Sequence, residues 1–403
     1  MRFVISTVFR AGRRVRTWAI RRARRSPFWP PGTPDKCADV DRLGKPFPGA
    51  IIVFFPGGRD NLYQLLPWLP ALERLDAAYG VTLVFRDSRM ASEARAASAI
   101  DCVTLSSIGQ LDAILALSDI KLALYLNHSL FNFECLRFPS LVHVYLGHGD
   151  SDKAVSVSNQ VKAYDYCFLA GQGALDRTAA GTMLYDAAGH SVLIGQPQLS
   201  DEHLAPDLDP SRQTVLYAPT WESSQPSMCY SSLRTQGLRL AKTLRGSYRF
   251  IYRPHPAMGA LDPAFARADA EVRAVADRVD VGVPLERSFA DADLLISDVS
   301  AIVLSWLPTG KPVIVTTPRV GVPRSRVLDV VPPLPEDADP AAIVAAQLAH
   351  DQAKDARSSL VEYYFGDTTP GVAVTRFIEA CGELITLRDQ QWSAAMERGA
   401  IGP

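Results

Sequence analysis

The sequence has few cysteines, and their spacing fits neither a metal site nor a disulfide framework. Six cysteines occur in 403 residues, no two of them closer than 32 positions, and no CxxC pair is present. Free thiols within apolar runs are typical of a protein in a reducing compartment. We therefore expect an intracellular protein without a structural zinc site.

Long apolar runs are absent as well. No uninterrupted run approaches the roughly 20 residues that a membrane-spanning helix requires. The amino terminus lacks the compact apolar core and the small-residue cleavage site of a secretion signal. The sequence therefore predicts neither a transmembrane helix nor export.

Acidic residues are missing from residues 1–25, which contain nine arginines. Because the whole chain has a net charge of −1, the other 378 residues carry a net charge of −10. An acidic body argues against nucleic acid as a partner, since a nucleic-acid groove needs basic residues across a folded face.

The basic segment has the pattern of a helix that lies on a membrane surface. Its apolar residues recur every three or four positions and form one helical stripe, which includes Val4, Val8, Ala11, Val15 and Ala19. We expect residues 1–25 to form a basic amphipathic helix that binds an anionic membrane, at the cytoplasmic face and without crossing it. A disordered basic leader or a nucleic-acid tail is the alternative.

The rest of the chain predicts a linker followed by two α/β domains. The whole chain of 403 residues has 47% apolar residues and is long enough for two hydrophobic cores. Residues 26–48 are rich in proline and glycine and read as a linker. Strand-length apolar runs then alternate with helical stretches, which is typical of parallel sheets. These runs are residues 50–55, 81–85, 122–126, 141–147, 166–171 and 191–195, then 214–219, 248–254, 293–297 and 312–317.

A polar, proline-containing break at residues 196–213 separates the two series of strands. We expect an N-terminal Rossmann-like domain over 49–198, which binds the acceptor. A C-terminal Rossmann-like domain over 199–403 binds the donor, and its last helix can cross back to the first domain. The expected fold class is α/β of the GT-B type, with two Rossmann-like domains facing across a cleft.

The first candidate site follows the strand that ends in GHGDSDK, residues 147–153. His148 lies at the carboxyl end of a parallel strand, where α/β proteins bind ligands, and it has a glycine on each side. A histidine there can take a proton from an attacking hydroxyl, and Lys153 can meet an anion. A loop histidine with only local hydrogen bonds is the alternative.

The second candidate site is RFIYRPHP, residues 249–256, which repeats this pattern in the second domain. Arg253 and His255 follow an apolar strand, and prolines flank the histidine. A permanent cation beside an imidazole suits a phosphate. A rigid proline turn with incidental polar residues is the alternative.

The third candidate site is the strand-to-helix segment LLISDVSAIVLSWLPTGKP, residues 294–312. Asp298 and Ser300 follow the strand, and a helix is expected from about Ala301 to Leu307, with Gly310 as its stop. Ser300 is expected to cap this helix, whose first amides would bind a phosphate with the Ser300 hydroxyl as a further donor. A plain helix cap without a ligand is the alternative.

Two further stretches are weaker. In YAPTW, Thr220 and Trp221 leave a strand where a base or ribose would stack, although such an aromatic is more often part of a core. The FPGGRDN turn at residues 55–61 lacks both the GxGxxG and the P-loop pattern. No motif surrounds the other histidines, which are His128, His143, His190, His203 and His350.

Taken in order, these motifs resemble the CDP-glycerol glycerophosphotransferase family, the teichoic-acid primases and polymerases. The resemblance covers about residues 140–320. FGDTTPGVAVTRFIE, residues 365–379, is similar to that family's closing segment. The motifs in the main stretch are GHGDSDK, DYCFLAG, GQPQL, LYAPTW, YRPHP and LLISDVSAIVLSWLPTGKPVI.

The resemblance implies an enzyme that transfers glycerol phosphate, or a related alditol phosphate, from CDP-glycerol or another CDP-alditol. The acceptor would be a hydroxyl of a lipid-linked saccharide in teichoic-acid-like or capsule-like polymer synthesis, and CMP would be released. His148 would be the general base, and His255 would contact the phosphates. Asp298, Ser300 and Ala301 would hold the pyrophosphate. The remaining donor contacts would be Arg253, Lys153 and Thr220. No cofactor and no metal is implied.

The sequence departs from the family pattern in two places. The family's HGTPLK is replaced by a motif with two acids beside His148, namely Asp150 and Asp152. In the family's SDYSS segment, Val299 stands in the place of the tyrosine and Ala301 in the place of the last serine. Ser305 stands in the place of the acid that follows a few residues later. Two alternatives follow, a GT-B enzyme that uses a nucleotide sugar and a catalytically inactive binding protein at the membrane. Ser305 stands where nucleotide-sugar enzymes place a glutamate, which counts against the first of these.

Overall fold

The computed structural model describes residues 20, 22–24, 26, 28–30, 32–152, 158–199, 204–222, 229–317 and 325–399. The amphipathic helix predicted over residues 1–25 lies almost entirely outside these ranges and stays a prediction. Within the ranges, no helix is long and apolar enough to cross a bilayer.

The first sheet has seven strands in the order β3-β2-β1-β4-β5-β6-β7. Strands β1 and β2 are buried along their whole length, as expected for apolar runs in a sheet covered on both faces. β4 and β5 are parallel neighbours, with Leu122 opposite Val142. The strands are β1 (Ile51–Phe55), β2 (Val81–Phe85), β3 (Asp101–Thr104), β4 (Leu122–Tyr125), β5 (Val142–Tyr145), β6 (Tyr166–Leu169) and β7 (Ser191–Leu193).

The second sheet has six strands in the order β10-β9-β8-β11-β12-β13, all paired in parallel. The chain runs outward from β8 to β9 and β10 and then crosses over to β11 on the other side of β8. The loops after β8 and β11 therefore lie next to each other at the carboxyl edge. The strands are β8 (Thr214–Ala218), β9 (Arg249–Tyr252), β10 (Arg278–Val279), β11 (Leu294–Ser297), β12 (Val313–Thr316) and β13 (Pro333–Leu334).

Helices connect the strands and cover the sheets. In the first half of the chain they are α1 (Leu62–Leu65), α2 (Leu69–Tyr79), α3 (Ser88–Ala97), α4 (Ile108–Leu115), α5 (Asn132–Cys135) and α6 (Gln172–Gly181). In the second half they are α7 (Leu238–Leu244), α8 (Pro263–Val275), α9 (Leu285–Asp291), α10 (Ala301–Trp306), α11 (Arg326–Val330), α12 (Pro340–Ala349), α13 (Lys354–Phe365) and α14 (Val372–Glu397). This alternation and the two parallel sheets confirm the predicted α/β fold of GT-B type.

The chain forms two compact units. The first takes the chain up to His148, Gln160–Phe168 and the residues from Val374 onward, and the second takes Gly149–Asn159 and Leu169–Ala373. The domain limits predicted from the sequence, 49–198 and 199–403, stay predictions.

The C-terminal helix α14 is part of the first unit. Its Phe377 is fully buried against Trp68, with the ring centroids 5.6 Å apart. Further along, Asp389 accepts a hydrogen bond of 2.7 Å from Lys121. The first unit is therefore completed by residues that follow the whole second unit in the sequence.

Part of the stretch predicted as a linker is packed. Asp35 is fully buried and accepts hydrogen bonds from the backbone N–H groups of Cys37 and Ser88, both at 2.9 Å. Phe47 is buried in the core of the first unit. Residues within 26–48 therefore contribute to folded structure in addition to connecting it.

Candidate functional site

His148 follows β5 through a glycine turn. Gly147 has a φ of 67°, a left-handed conformation that glycine adopts without strain. The turn leaves the His148 side chain open to solvent, with its ring edge-to-face against Tyr63 at a centroid distance of 6.2 Å.

The pKa of His148 is set by desolvation and by one backbone group. Desolvation by nearby protein lowers the pKa of His148, and a hydrogen bond with the Leu126 backbone raises it, with a net lowering. A backbone group that raises a histidine pKa is an accepting carbonyl, so the ring nitrogen bonded to Leu126 carries the proton. The opposite nitrogen is then unprotonated and can act as a base.

The two acids that follow His148 are neutralised within the second unit by Arg177 of α6. Arg177 Nη1 donates to Asp152 Oδ1 at 2.6 Å, and its other terminal nitrogen donates to Asp150. Desolvation raises the pKa of Asp150, and the Arg177 charge opposes that shift. The two extra acids of the motif are therefore both paired with a cation.

Asp152 also ties its loop to two helices. It is buried and accepts hydrogen bonds from Tyr364 of α13, at 2.8 Å, and from Ser325, the N-cap residue of α11. No sequence motif marks this network, because Arg177, Ser325 and Tyr364 lie far from GHGDSDK along the chain. Lys153, the predicted cation of the same motif, lies outside the described residues.

The glycine after His148 lies beside the start of α10. A Cβ atom built on Gly149 would be 3.6 Å from Ala301 Cβ, and both residues belong to the second unit. The structure thus brings Gly149 of the first candidate motif next to Ala301 of the third.

Asp298 holds the loops at the carboxyl edge of the second sheet. It is fully buried, and its carboxylate accepts hydrogen bonds from the backbone N–H groups of Thr220, at 2.8 Å, and Ser232, at 3.2 Å. The hydroxyl of Thr316 donates to it as well. Burial raises the pKa of Asp298, and these hydrogen bonds lower it, with a net raise. The observed function of this side chain is to position three loops, and direct phosphate contact stays a prediction.

Ser300 occupies the N-cap position of α10 in an extended conformation, but its side chain makes no capping hydrogen bond. The predicted side-chain cap is therefore wrong. The Ser300 hydroxyl lies 3.1 Å from that of Ser297, which itself donates to the Ala218 carbonyl at 2.7 Å. Because the Ser297 proton is used there, Ser300 is the donor to Ser297. A phosphate would have to compete for the Ser300 proton.

Arg253 is engaged by protein oxygens next to α9. Its Nη1 donates to Ser288 Oγ and its Nη2 to the Val283 carbonyl, both at 2.8 Å. Burial lowers the pKa of Arg253, and nearby Asp280 and Glu286 oppose that shift. Two of the guanidinium nitrogens of Arg253 thus already donate hydrogen bonds to protein oxygens.

The tautomer of His255 is set by a backbone N–H group. Its Nδ1 accepts a hydrogen bond of 3.1 Å from the backbone N–H of Ala257, and its ring stacks on Trp221 with the centroids 5.8 Å apart. An accepting Nδ1 places the proton of the neutral ring on Nε2, which makes Nε2 a hydrogen-bond donor. Trp221, where a base or ribose or a place in the core was considered, stacks on the candidate histidine.

Glu222 is a site residue that the sequence analysis missed. It is buried, and its carboxylate accepts hydrogen bonds from the N–H groups of Gly259 and Leu261, both at 3.0 Å, and of Asp262, at 3.3 Å. Burial raises the pKa of Glu222, but the hydrogen bonds from these backbone donors lower it by more. The pKa of Glu222 therefore lies below its ordinary value. Glu222 therefore fixes the loop that carries His255. An acid directly after YAPTW was the available signal.

The described part of the chain contains no group of three or more histidine, cysteine, aspartate or glutamate side chains that could hold a metal ion.

Comparison with known families gives one match. The model of the CDP-glycerol:poly(glycerophosphate) glycerophosphotransferase family matches residues 201–333. This segment includes the YAPTW, YRPHP and SDVSA motifs, whereas GHGDSDK precedes it. No curated protein matches the chain.

Solved structures match over most of the chain. The wall teichoic acid polymerase TagF is 14% identical, with a TM-score of 0.56, over 86% of this chain and 90% of that one. A putative UDP-N-acetylglucosamine 2-epimerase from Listeria monocytogenes is 12% identical, with a TM-score of 0.54, over 84% and 95%. MnaA from S. aureus, solved with UDP, is 14% identical, with a TM-score of 0.54, over 84% and 97%. At these identities the likeness establishes the fold.

The resemblance seen in the sequence motifs is thus confirmed over residues 201–333. By that match and its GT-B-like fold, the chain is a transferase of the glycerophosphotransferase type, similar to the CDP-glycerol:poly(glycerophosphate) glycerophosphotransferase family.

Proposed function

We propose that the chain transfers glycerol phosphate from CDP-glycerol to a hydroxyl of a membrane-lipid-linked acceptor, in the synthesis of a teichoic-acid-like or capsule-like polymer. The observation that carries the proposal is the family match over residues 201–333, the segment that contains Asp298 and His255. The alternative donor substrate is a related CDP-alditol such as CDP-ribitol, from which an alditol phosphate would be transferred in the same way.

The reaction is a displacement at phosphorus. The acceptor oxygen forms a bond to the phosphorus that carries glycerol, and the bond from this phosphorus to the bridging oxygen breaks. CMP leaves with the electrons of that bond, and the acceptor proton passes to a base. Catalysis of such a step depends on positioning and on stabilising the charge of the phosphate oxygens.

His148 is the base in this proposal. The Leu126 carbonyl holds the protonated ring nitrogen, so the other nitrogen is available to take the acceptor proton. Because the pKa of His148 is lowered, the imidazole is neutral at physiological pH and ready to accept a proton.

His255 contacts the donor phosphates in this proposal. Its Nε2 proton is the right kind of group for a phosphate oxygen, because Nδ1 is occupied by the N–H of Ala257. Glu222 positions the His255 loop, and Asp298 positions the loops around it. Further contacts to the phosphates are proposed for Ser300, Ala301, Thr220, Arg253 and Lys153.

Residues 1–25 are proposed to bind the anionic surface at the cytoplasmic face of the membrane. Nine arginines without an acid support this, since each contributes about 1 kcal/mol near an anionic leaflet. Such binding would bring the enzyme to a lipid-linked acceptor. Deleting residues 1–25 should abolish binding to anionic vesicles, and undiminished binding would contradict this part of the proposal.

The proposal is tested by donor competition. The purified chain is incubated separately with CDP-glycerol, CDP-ribitol and UDP-sugars in the presence of a lipid-linked disaccharide. CMP release that requires the acceptor supports the proposal, and the better CDP-alditol identifies the donor. Release of neither CMP nor UDP would favour a catalytically inactive binding protein.

A second candidate is an enzyme that acts on a nucleotide sugar. It is favoured by the epimerase and MnaA structures, whose TM-scores of 0.54 are close to that of TagF. Ser305 on α10, in the place of the glutamate expected for such enzymes, counts against it. UDP release or sugar epimerisation in the same experiment would support this candidate and overturn the first.

A further inference from the structure

Three large apolar side chains are exposed together in the first unit, shortly after β4. Their exposed fractions are 78% for Leu130, 39% for Phe131 and 50% for Phe133. Single exposed apolar residues are common on soluble proteins, but three of them within four positions form a patch, and such a patch marks a surface that meets a partner or a membrane. These three side chains are called the β4-loop patch below.

The fold presents the β4-loop patch outward. The Phe133 N–H donates to the Leu130 carbonyl at 3.3 Å, and this spacing puts the two side chains on one face of a helical turn. The opposite face is anchored by the fully buried Asn132. Its Nδ2 donates to the Asn127 carbonyl at 2.7 Å and to Tyr164 Oη at 2.9 Å. The apolar face therefore cannot turn inward unless these buried hydrogen bonds break.

The patch lies at the carboxyl edge of the first sheet, near the proposed base. Strand β4 pairs in parallel with β5, so the loop after β4 and the loop that carries His148 are neighbours at one edge. Burial, and then the charge of His148, lower the pKa of His128, which begins the loop of the patch. A partner that covers the patch therefore borders the neighbourhood of His148.

The residues that follow the basic segment lie at the same edge of the first unit. Arg89, in the first turn of α3 after β2, donates to the Trp29 carbonyl at 2.8 Å and to the Thr33 carbonyl at 3.1 Å. Arg86, which directly follows β2, pairs with Glu134 of α5, the helix that also carries part of the patch. The segment after β2 thus contacts both the continuation of residues 1–25 and the helix of the patch.

The charges near the patch favour an anionic surface. Glu134 is the only acid in residues 127–138, and Arg86 neutralises it. Arg137, in the same stretch, is exposed, and residues 1–25 add nine arginines without an acid. Exposed apolar side chains next to cations match a phospholipid surface, because the headgroup phosphates attract the cations and the acyl region takes the apolar side chains.

We propose that the β4-loop patch inserts into the surface of an anionic phospholipid bilayer, beside the basic segment of residues 1–25. This inference rests on the membrane binding proposed above and adds the orientation of the first unit. With these two contacts, the carboxyl edge of the first sheet faces the headgroups. His148 then lies on the side from which the hydroxyl of a lipid-linked acceptor arrives. A polybasic segment together with an apolar anchor holds a protein more stably than either contact alone.

The test measures the affinity of the full chain for vesicles of phosphatidylglycerol and phosphatidylcholine by co-sedimentation. The triple variant Leu130→Ser, Phe131→Ser, Phe133→Ser should have a vesicle Kd about tenfold or more above that of wild type, because its side chains no longer move apolar surface out of water. Its melting temperature should stay close to that of wild type, since all three side chains are exposed in the free protein.

Two controls match this variant. The apolar variant Leu130→Met, Phe131→Leu, Phe133→Leu keeps the hydrophobic surface and should bind vesicles as wild type does. Leu117 is 56% exposed but lies between α4 and β4, at the opposite edge of the sheet. Leu117→Ser should therefore leave the vesicle Kd unchanged, whereas the single variant Leu130→Ser should raise it about threefold.

The salt dependence of binding separates the patch from the arginines. The serine triple variant keeps all nine arginines, and salt screens only the interactions of charges. Its plot of log Kd against log salt concentration should therefore keep the wild-type slope and be displaced to weaker binding. A changed slope would mean that the variant alters the arginine contact, and this would contradict the proposed role of the patch.

Three further outcomes would overturn the inference. The first is an equal vesicle Kd for wild type and the serine triple variant. The second is a wild-type dimer that becomes a monomer in this variant at unchanged vesicle affinity, measured by light scattering, which would assign the patch to a second copy of the chain. The third is unchanged vesicle affinity with a raised KM for the lipid-linked acceptor, which would assign the patch to the lipid of the acceptor.

The vesicle measurement does not depend on the transfer reaction. A wild type that releases no CMP from CDP-glycerol, but binds vesicles through the patch, would contradict the proposed reaction and support this inference. A wild type that releases CMP and binds vesicles equally well without the patch would support the reaction and overturn the inference.

Discussion

His148 and His255 each lie in the loop after a parallel strand, but the backbone prepares them for opposite tasks. A carbonyl, that of Leu126, accepts from the ring of His148, whereas an N–H, that of Ala257, donates to the ring of His255. The remaining nitrogen is consequently an acceptor of protons in His148 and a hydrogen-bond donor in His255.

This difference shows that the residue type does not determine the chemistry of a histidine in a strand-end loop. One backbone group per ring is enough to select the tautomer. Each ring also has an aromatic neighbour, since His148 borders Tyr63 and His255 stacks on Trp221. The comparison is therefore best tested with substitutions that keep one ring nitrogen and remove the other.

The largest effect is expected from His148→Ala. Loss of a general base lowers kcat by about 10²- to 10⁴-fold, measured as single-turnover CMP release. His148→Gln should be equally impaired, because an amide cannot accept the proton. The affinity for CDP-glycerol should stay unchanged in both variants. Turnover within tenfold of wild type would remove His148 as the base.

A large loss of stability is expected from Arg177→Met. This change leaves Asp150 and Asp152 without their partner, and breaking a buried ion pair destabilises a protein by about 3 kcal/mol or more. Urea unfolding of the full chain measures it. The triple variant Asp150→Asn, Asp152→Asn, Arg177→Met removes the charges together and should recover most of the loss. A single variant as stable as wild type would contradict the pairing.

A smaller effect should separate the two histidines directly. His255→Gln places an amide N–H near the position of Nε2, so its kcat/KM should exceed that of His255→Ala by about tenfold, the value of a charge-assisted hydrogen bond to phosphate. The corresponding pair at position 148 should show no such difference. Equal activity of His255→Gln and His255→Ala would mean that Nε2 does not act as a donor.

The smallest effect concerns pH. His148 must be neutral to accept a proton, so kcat/KM should fall as pH falls through its pKa, which lies below the ordinary value of 6.5. Between pH 8 and pH 6.5 the loss should therefore be less than about twofold. His255→Gln should keep this acidic limb, because its titrating group is His148. A midpoint above 6.5 would contradict the lowered pKa.

The sequence predicted the parts of the fold that depend on apolar runs. Strands such as β1 and β8, which are buried along their whole length, stood out as uninterrupted apolar segments. Strand β3 was missed because Asp101 and Thr104 interrupt its pattern. Strands β10 and β13 have only two residues each, too few for any period.

The candidate site was only partly predictable, for a different reason. Motifs placed His148 and His255 at strand ends, but the groups that set their protonation are backbone atoms of Leu126 and Ala257, which no side-chain pattern encodes. The cap expected of Ser300 failed because its hydroxyl bonds to Ser297, whose own proton goes to the Ala218 carbonyl of the neighbouring strand β8. Arg177 pairs with acids more than 20 positions away, and that distance hides it from any local motif.

The position of α14 also has a consequence for biosynthesis. Because Phe377 and Asp389 complete the packing around Trp68 and Lys121, a nascent chain cannot finish its first unit when the strands of that unit leave the ribosome. Roughly 200 further residues must be translated first, which takes about 10 to 40 s at bacterial and eukaryotic elongation rates. Throughout that interval the surface that will receive α14 is uncovered, so transient protection by a chaperone would be most useful there.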